Sequence, residues 1–217
     1  MVASPLGSPT PPLEFILASA SPRRRELLAH LAIPFTVIPA NIDERVLPDE
    51  VPRSYTMRVA HAKAQHVARQ CPTAVVLGAD SVVVLAQQIL GKPRDVAEAR
   101  QMLTRLSGRE HTVLTGLAVL HQARQFVCLD AVSTLVRFRP LSPSTIEDYI
   151  ATGEPMDKAG AYAIQGAAAA FVELWEGCYT NVVGLPLRRT AALLRLAGLA
   201  VSFANSIGCL WPQDNEH

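Results

Sequence analysis

Leu17-Ala18-Ser19-Ala20-Ser21-Pro22-Arg23-Arg24-Arg25-Glu26-Leu27-Leu28 follows a short apolar run, Phe15-Ile16-Leu17, and leads into helical spacing at Leu27, Leu28 and Leu31. That reads as a strand end, a tight turn of small residues and a helix start, the repeating joint of an α/β protein. Ser21 suits the N-cap and Pro22 the first helical position, where a missing N–H costs nothing. Free backbone N–H groups and the positive helix end then face outward beside three arginines, which suits phosphate. A solvated first turn is the plain alternative, although three cations there oppose the helix dipole.

Outward from this joint, Phe35-Thr36-Val37-Ile38 reads as a second short strand. Asn41, Ile42, Asp43 and Glu44 lie in a polar loop between Pro39 and Pro48, where carboxylates are ordinarily solvated. Pro52 opens a helix to about Arg69 with a loose stripe of Tyr55, Val59, Ala62 and Val67. Lys63 on it reads by default as a surface lysine.

Ala74 to Leu85 is the most apolar stretch and predicts a central strand covered on both faces. Within it, Asp80 and Ser81 need explaining, because an unpaired buried carboxylate is costly. Asp80 either caps a turn between two strands or is placed in a cleft to bind metal or accept a proton. Gly78 lets a backbone or a ligand come close.

A hairpin closing at Gln87-Gln88 leads through Gly91-Lys92-Pro93 to a helix from Asp95 to Leu106. Asp95 and Glu98 suggest a capping box, with Val96, Ala99, Met102, Leu103 and Leu106 buried. Lys92, held on an extended turn by Pro93, is aimed more firmly than most loop lysines. Two long strands, Glu110–Leu120 and Gln125–Arg139, are joined across His121 to Arg124; His111 and His121 have no metal-ligand spacing and read as structural. A helix from Ser144, boxed by Glu147, ends near Gly153. Glu154 to Gly166 is a glycine-punctuated polar loop, the kind that carries function on a rigid scaffold. A strand over Phe171–Leu174 and a helix over Leu185–Leu199, with Leu187, Leu193, Leu194 and Leu196 inward, close the pattern. Residues 1–13 read as a disordered leader, 14–200 as one domain and 201–217 as a loose tail.

The 217 residues are 49% hydrophobic and 18% charged, with a net charge of +1. Such a chain can bury a sizeable core and has no overall field drawing it to nucleic acid or an anionic membrane. No apolar run approaches a membrane span, and no signal peptide is evident. The four cysteines, Cys71, Cys128, Cys178 and Cys209, form no C-x-x-C and fit a reducing cytosol. P-loop, dinucleotide and nucleophile-elbow motifs are missing. What remains is a set of cations, Arg23, Arg24, Lys63, Lys92 and Lys158, with carboxylates Glu44, Asp80 and Asp157 at separate element ends. Cations suit a phosphate chain, and one or two carboxylates suit a Mg²⁺ that keeps most of its waters.

Ser19-Ala20-Ser21-Pro22-Arg23-Arg24, Asp43-Glu44, Lys63, Gly78-Ala79-Asp80-Ser81, Lys92-Pro93, Glu154 to Gly160 and Ile164-Gln165-Gly166 together resemble the Maf family over about Phe15 to Leu199. These are nucleoside triphosphate pyrophosphatases, which give the monophosphate and pyrophosphate. The resemblance implies an α/β fold of two lobes around an elongated twisted mixed sheet, with helices flanking it and a central cleft, related to inosine triphosphate pyrophosphatases. It also implies a divalent metal, Mg²⁺ or Mn²⁺, a homodimer and a cytoplasmic location. Asp80 matches the family's catalytic acidic residue, assigned as proton acceptor, with Glu44 as the second carboxylate at the metal. Ser19, Ser21, Arg24, Lys63, Lys92 and Lys158 fall on substrate-binding positions. Arg23, Ser81 and Gln165 fall on specificity positions and resemble the dTTP/UTP branch rather than the 7-methyl-GTP branch, which carries Trp and Glu at the first and last. Serine at 81 departs from that branch's usual threonine, a methyl whose loss shifts discrimination by roughly 1–3 kcal/mol at most. Pyrophosphatases of 7-methyl-GTP or inosine-type triphosphates, and a non-catalytic nucleotide sensor in septum formation, are the alternatives.

Overall fold

β1 (Phe15–Leu17) is the first strand of the computed structural model, which describes residues 13–204. α1 (Pro22–Ala29), β2 (Thr36–Val37), α2 (Pro52–Ala68) and β3 (Val75–Leu85) follow. β1 lies between β2 and β3 and runs parallel to both, so α1 and α2 lie on its two crossover connections. Every later pairing is antiparallel. β4 (Gln88–Leu90) folds back on the end of β3, and α3 (Val96–Leu106) follows it. β5 (Glu110–His121) pairs with β3, and β6 (Phe126–Phe138) with β5. After α4 (Pro143–Ala151), β7 (Val172–Glu176) pairs with β6, and α5 (Tyr179–Val183) and α6 (Leu187–Leu196) end the helical part. The seven-stranded sheet has the order β2-β1-β3-β5-β6-β7 with β4 on β3, which is the mixed α/β sheet flanked by helices that was expected.

Strand alternation divides the core. Leu17, Leu77 and Leu117 point to the face packed by α1, α3, α4 and α6; Ile16, Val76 and Ala118 point to the face under α2. α2 sits very close to its face because two strand positions there lack side chains. A Cβ on Gly78 would drive into the Ala60 carbonyl oxygen and lie 2.8 Å from Ala64 N; one on Gly116 would meet the Thr56 backbone. Gly78 therefore admits a helix backbone, not a ligand.

Several sequence expectations need correction. The β3–β4 turn is Ala86-Gln87, both at positive φ, as a two-residue hairpin requires. The Asp95 carboxylate does cap α3, accepting from Glu98 N at 2.8 Å, but Glu98 reaches back to Arg94 N rather than closing the box. Val96 is 47% exposed and Leu196 67%, since each lies at a helix end beyond its packing neighbours. α4 starts at Pro143 with Ser142, not Ser144, as its cap; Glu147 pairs instead with Arg100 of α3. α5 was not foreseen, being too short to show a period. Val201 is buried and Phe203 bridges Leu31, with Ala204 N donating to His30 O at 2.9 Å, so the start of the expected loose tail is tied down. Most of the expected leader, residues 1–12, and residues 205–217 of the tail lie outside the described residues.

Candidate active site

The β1–α1 joint forms as its sequence suggests. Ser21 Oγ accepts from Arg24 N at 3.4 Å, and Ser21 N donates to Ser19 Oγ at 3.3 Å. Arg24, however, turns inward. Its Nε donates to Gly184 O at 3.0 Å, one terminal nitrogen to Ala79 O at 2.9 Å and Ser19 Oγ at 3.3 Å, the other to Ser81 Oγ at 3.0 Å. All four acceptors are neutral, so Arg24 keeps its charge while four of its five N–H groups are occupied by its own chain. Ser81 Oγ is likewise engaged, lying 2.8 Å from the hydroxyl of Thr115, its cross-strand partner.

Asp80 sits inside β3 opposite Gly116, which removes the turn-cap reading. It is 6% exposed, and Lys63, reaching over from α2, is only 8% exposed. The default view of Lys63 as a surface lysine thus fails: the close approach of α2 buries it. Lys63 Nζ donates to Asp80 Oδ1 at 2.7 Å and pairs with Glu44 Oε1 at 2.9 Å. Glu44 is steadied through its backbone, because Tyr55 Oη donates to its carbonyl at 2.8 Å. Burial pushes the Asp80 carboxyl above the usual carboxylate range, and the charges of Lys63 and Arg24 offset that only in part.

The opposite wall is the segment from Gly153 to Phe171, wound in short 3₁₀ turns. Gly160 N donates to Gly91 O at 3.0 Å, docking this segment beside the turn that carries Lys92. Lys158 pairs with Asp157. Between the walls lies a cleft of about 860 Å³, and every residue singled out as a site residue from the sequence lines it. Arg23, Lys92 and Gln165 direct no hydrogen bond to any described residue, which leaves their donors for a ligand. Sequence reasoning gave Gly184, Thr115 and Tyr55 no role in the site; Gly184 and Thr115 lie 160 and 34 residues from the groups they hold, and Tyr55 reads only as part of the apolar stripe of its helix.

A family model described as Maf-like protein matches residues 14–197. The chain belongs to the Maf family. A dTTP/UTP pyrophosphatase of Anaeromyxobacter dehalogenans is 56% identical over 185 residues, 84% of this chain and 93% of that one. Proteins of the same description from Symbiobacterium thermophilum and Moorella thermoacetica are 50% and 51% identical over 188 residues, 87% of this chain and 96% and 97% of theirs. Among solved structures, a HAM1 protein from Coxiella burnetii is similar with a TM-score of 0.45 at 18% identity, covering 85% of this chain and 99% of that one. That likeness is too loose to bear on function.

In this Maf chain the cleft combines a helix N-terminus, fixed and free cations, and a buried acid. Such a combination can hold a polyanion and take a proton from water beside it. No group of three or more His, Cys, Asp or Glu able to hold a metal occurs among the described residues. The carboxylates of Glu44 and Asp80, both paired with Lys63, are oxygen donors in the cleft that could hold one. Two hard oxygen donors in an open cleft fit a Mg²⁺-like ion that draws its remaining ligands from water and phosphate. Among the described residues, no helix is long and apolar enough to cross a membrane.

Proposed function

We propose that the chain hydrolyses dTTP and UTP to the monophosphate and pyrophosphate. The observation that carries this reading is the buried Asp80 on Lys63 at the floor of a cationic cleft. Its Maf relatives at 50–56% identity that are described as dTTP/UTP pyrophosphatases support the substrate.

In this reading water attacks the α-phosphorus. The new bond is from water oxygen to phosphorus, the bond broken is from that phosphorus to the α,β-bridging oxygen, and pyrophosphate leaves with its electron pair. Asp80 takes the proton of the water, which its raised pKa favours. Lys63 holds Asp80 in place and keeps positive charge at the reacting centre. Arg23 and Lys92 supply free donors to the phosphates, and Lys158 adds charge at the far wall. Arg24 contributes mainly charge, because most of its hydrogen bonds go to its own chain. Ser19 and Ser21 shape the turn that presents the α1 N-terminus. Gln165 offers its amide to the pyrimidine edge, while Ser81 acts through Thr115 and Arg24 rather than with a free hydroxyl. Asp80 and Glu44 would hold the divalent cation, whose chemistry is to neutralise charge on the phosphate oxygens. A homodimer in the cytoplasm completes the proposal.

The test is pyrophosphate release from dTTP, UTP, CTP, GTP, ITP and 7-methyl-GTP with Mg²⁺ or Mn²⁺. Preference for dTTP and UTP is expected. Preference for 7-methyl-GTP or ITP, or no release from any of them, would overturn the reading.

A further inference from the structure

Glu154 stands across the cleft from Asp80 and takes no part in the chemistry above, yet its carboxylate holds the turn around Gln165 from both sides. Oε2 accepts from Ala167 N at 3.2 Å. Oε1 accepts from Tyr149 Oη at 2.9 Å, and that same hydroxyl accepts from Ala163 N at 3.2 Å. One carboxylate therefore fixes the backbone two residues before and two residues after Gln165. Gly166 lies directly against it, with no room for a Cβ between its backbone and the Glu154 oxygens. Behind the carboxylate the support is rigid: Tyr149 is buried and its ring meets Phe171 edge-on with centroids 5.0 Å apart. Gln165 itself is exposed in the cleft and directs no hydrogen bond to any described residue, so its aim depends on this backbone clamp.

We infer that Glu154, seated on Tyr149, is a positioning residue for base selection: it fixes the turn whose Gln165 amide reads the base. The inference rests on the proposed pyrimidine triphosphate reading. A carboxylate suits the site because Ala167 N and Tyr149 Oη both donate to it and Gly166 packs directly against its oxygens. A glutamine there accepts from one side only: with its oxygen on Ala167 N, its N–H group takes the second lone pair of Tyr149 Oη and displaces the hydroxyl's own donation, and in the flipped pose it faces the donor Ala167 N.

The experiment measures affinity rather than turnover, using α,β-methylene analogues of UTP and GTP by calorimetry on the full chain. Glu154→Gln and Tyr149→Phe are each expected to lower the ratio of UTP to GTP affinity by about tenfold, the worth of one well-placed hydrogen bond. The double variant Glu154→Gln/Gln165→Ala is expected to discriminate no worse than Gln165→Ala alone, since both act through one amide. An unchanged ratio in both single variants, with only thermal stability reduced, would overturn the inference, as would losses that multiply in the double variant. Tyr149→Phe keeps the test open if Glu154→Gln does not fold. Lack of pyrophosphate release from UTP by the unaltered protein would count against the proposed reaction and not against this clamp.

Discussion

Lys63 Nζ and Asp80 Oδ1 lie 2.7 Å apart with both side chains almost fully buried, and a third charge, Glu44, reaches the same ammonium at 2.9 Å. A buried pair of this kind costs desolvation on both sides, so removing one partner leaves an uncompensated charge. In Lys63→Met, Asp80 loses the nearer of the two cations that oppose its burial. The proposed base must be ionised to act, so activity falls as pH drops through its pKa. The acid limb of kcat/KM for UTP in the unaltered chain is expected above the ordinary carboxylate range. In Lys63→Met it should move to still higher pH. A limb that stays where it was would mean the Lys63 charge does not tune Asp80.

Asp80→Asn keeps the shape and removes the acceptor of the proton. Turnover of UTP is expected to fall by about 10²–10⁴-fold, the usual worth of a positioned general base. Nucleotide affinity measured by calorimetry should persist, because Arg23, Lys92 and the α1 N-terminus are untouched. Near-normal turnover would remove Asp80 from its role.

Gly78→Ala tests the approach of α2. Its Cβ would drive into the Ala60 carbonyl and lie 2.8 Å from Ala64 N, both backbone atoms that cannot rotate away. A loss of about 3 kcal/mol in urea unfolding is expected, at the upper end for overpacking a core. Any folded remainder should lose activity as well, since Lys63 rides on the same helix face.

His111 is buried with its Nε2 2.9 Å from Tyr162 Oη, and burial lowers its pKa from 6.5 to about 4. Between those values the unfolded chain binds a proton that the folded chain refuses. Stability is therefore lost as pH falls through that window, by about 2 kcal/mol between roughly pH 7 and pH 5. His111→Phe should be less stable at neutral pH, because Tyr162 loses its partner, but should lack this acid-side decline. Urea denaturation at the two pH values checks both halves; a decline equal to that of the unaltered chain would assign it elsewhere.

How far these features could be read in the letters follows from their range along the chain. The β1–α1 joint was readable because cap, proline and apolar spacing are all local to Ser21–Leu28. The long strands β3, β5 and β6 were readable from their length and apolar content. Lys63 was not, because its burial follows from two missing side chains, at Gly78 and at Gly116 on separate strands. Arg24 pointed to an open phosphate donor in sequence, and nothing nearby could show that Gly184 would take its Nε. Gathering the site residues into one place required the order of motifs as a family pattern; composition and spacing alone left Asp80 between a turn cap and a cleft acid. Val96 and Leu196 fit their helical periods yet face solvent, since a period gives a direction and not a neighbour.

The anchoring of Arg24 has a consequence for how a nucleotide is received. Its guanidinium is already fastened by nearby Ser19 and by Ala79, Ser81 and Gly184, groups drawn from two distant parts of the chain. A triphosphate arriving in the cleft meets a positive wall that was immobilised during folding. Unlike Arg23 and Lys92, Arg24 does not have to be stilled at the moment of capture, and its share of the field in the cleft is the same before and after the ligand is seated.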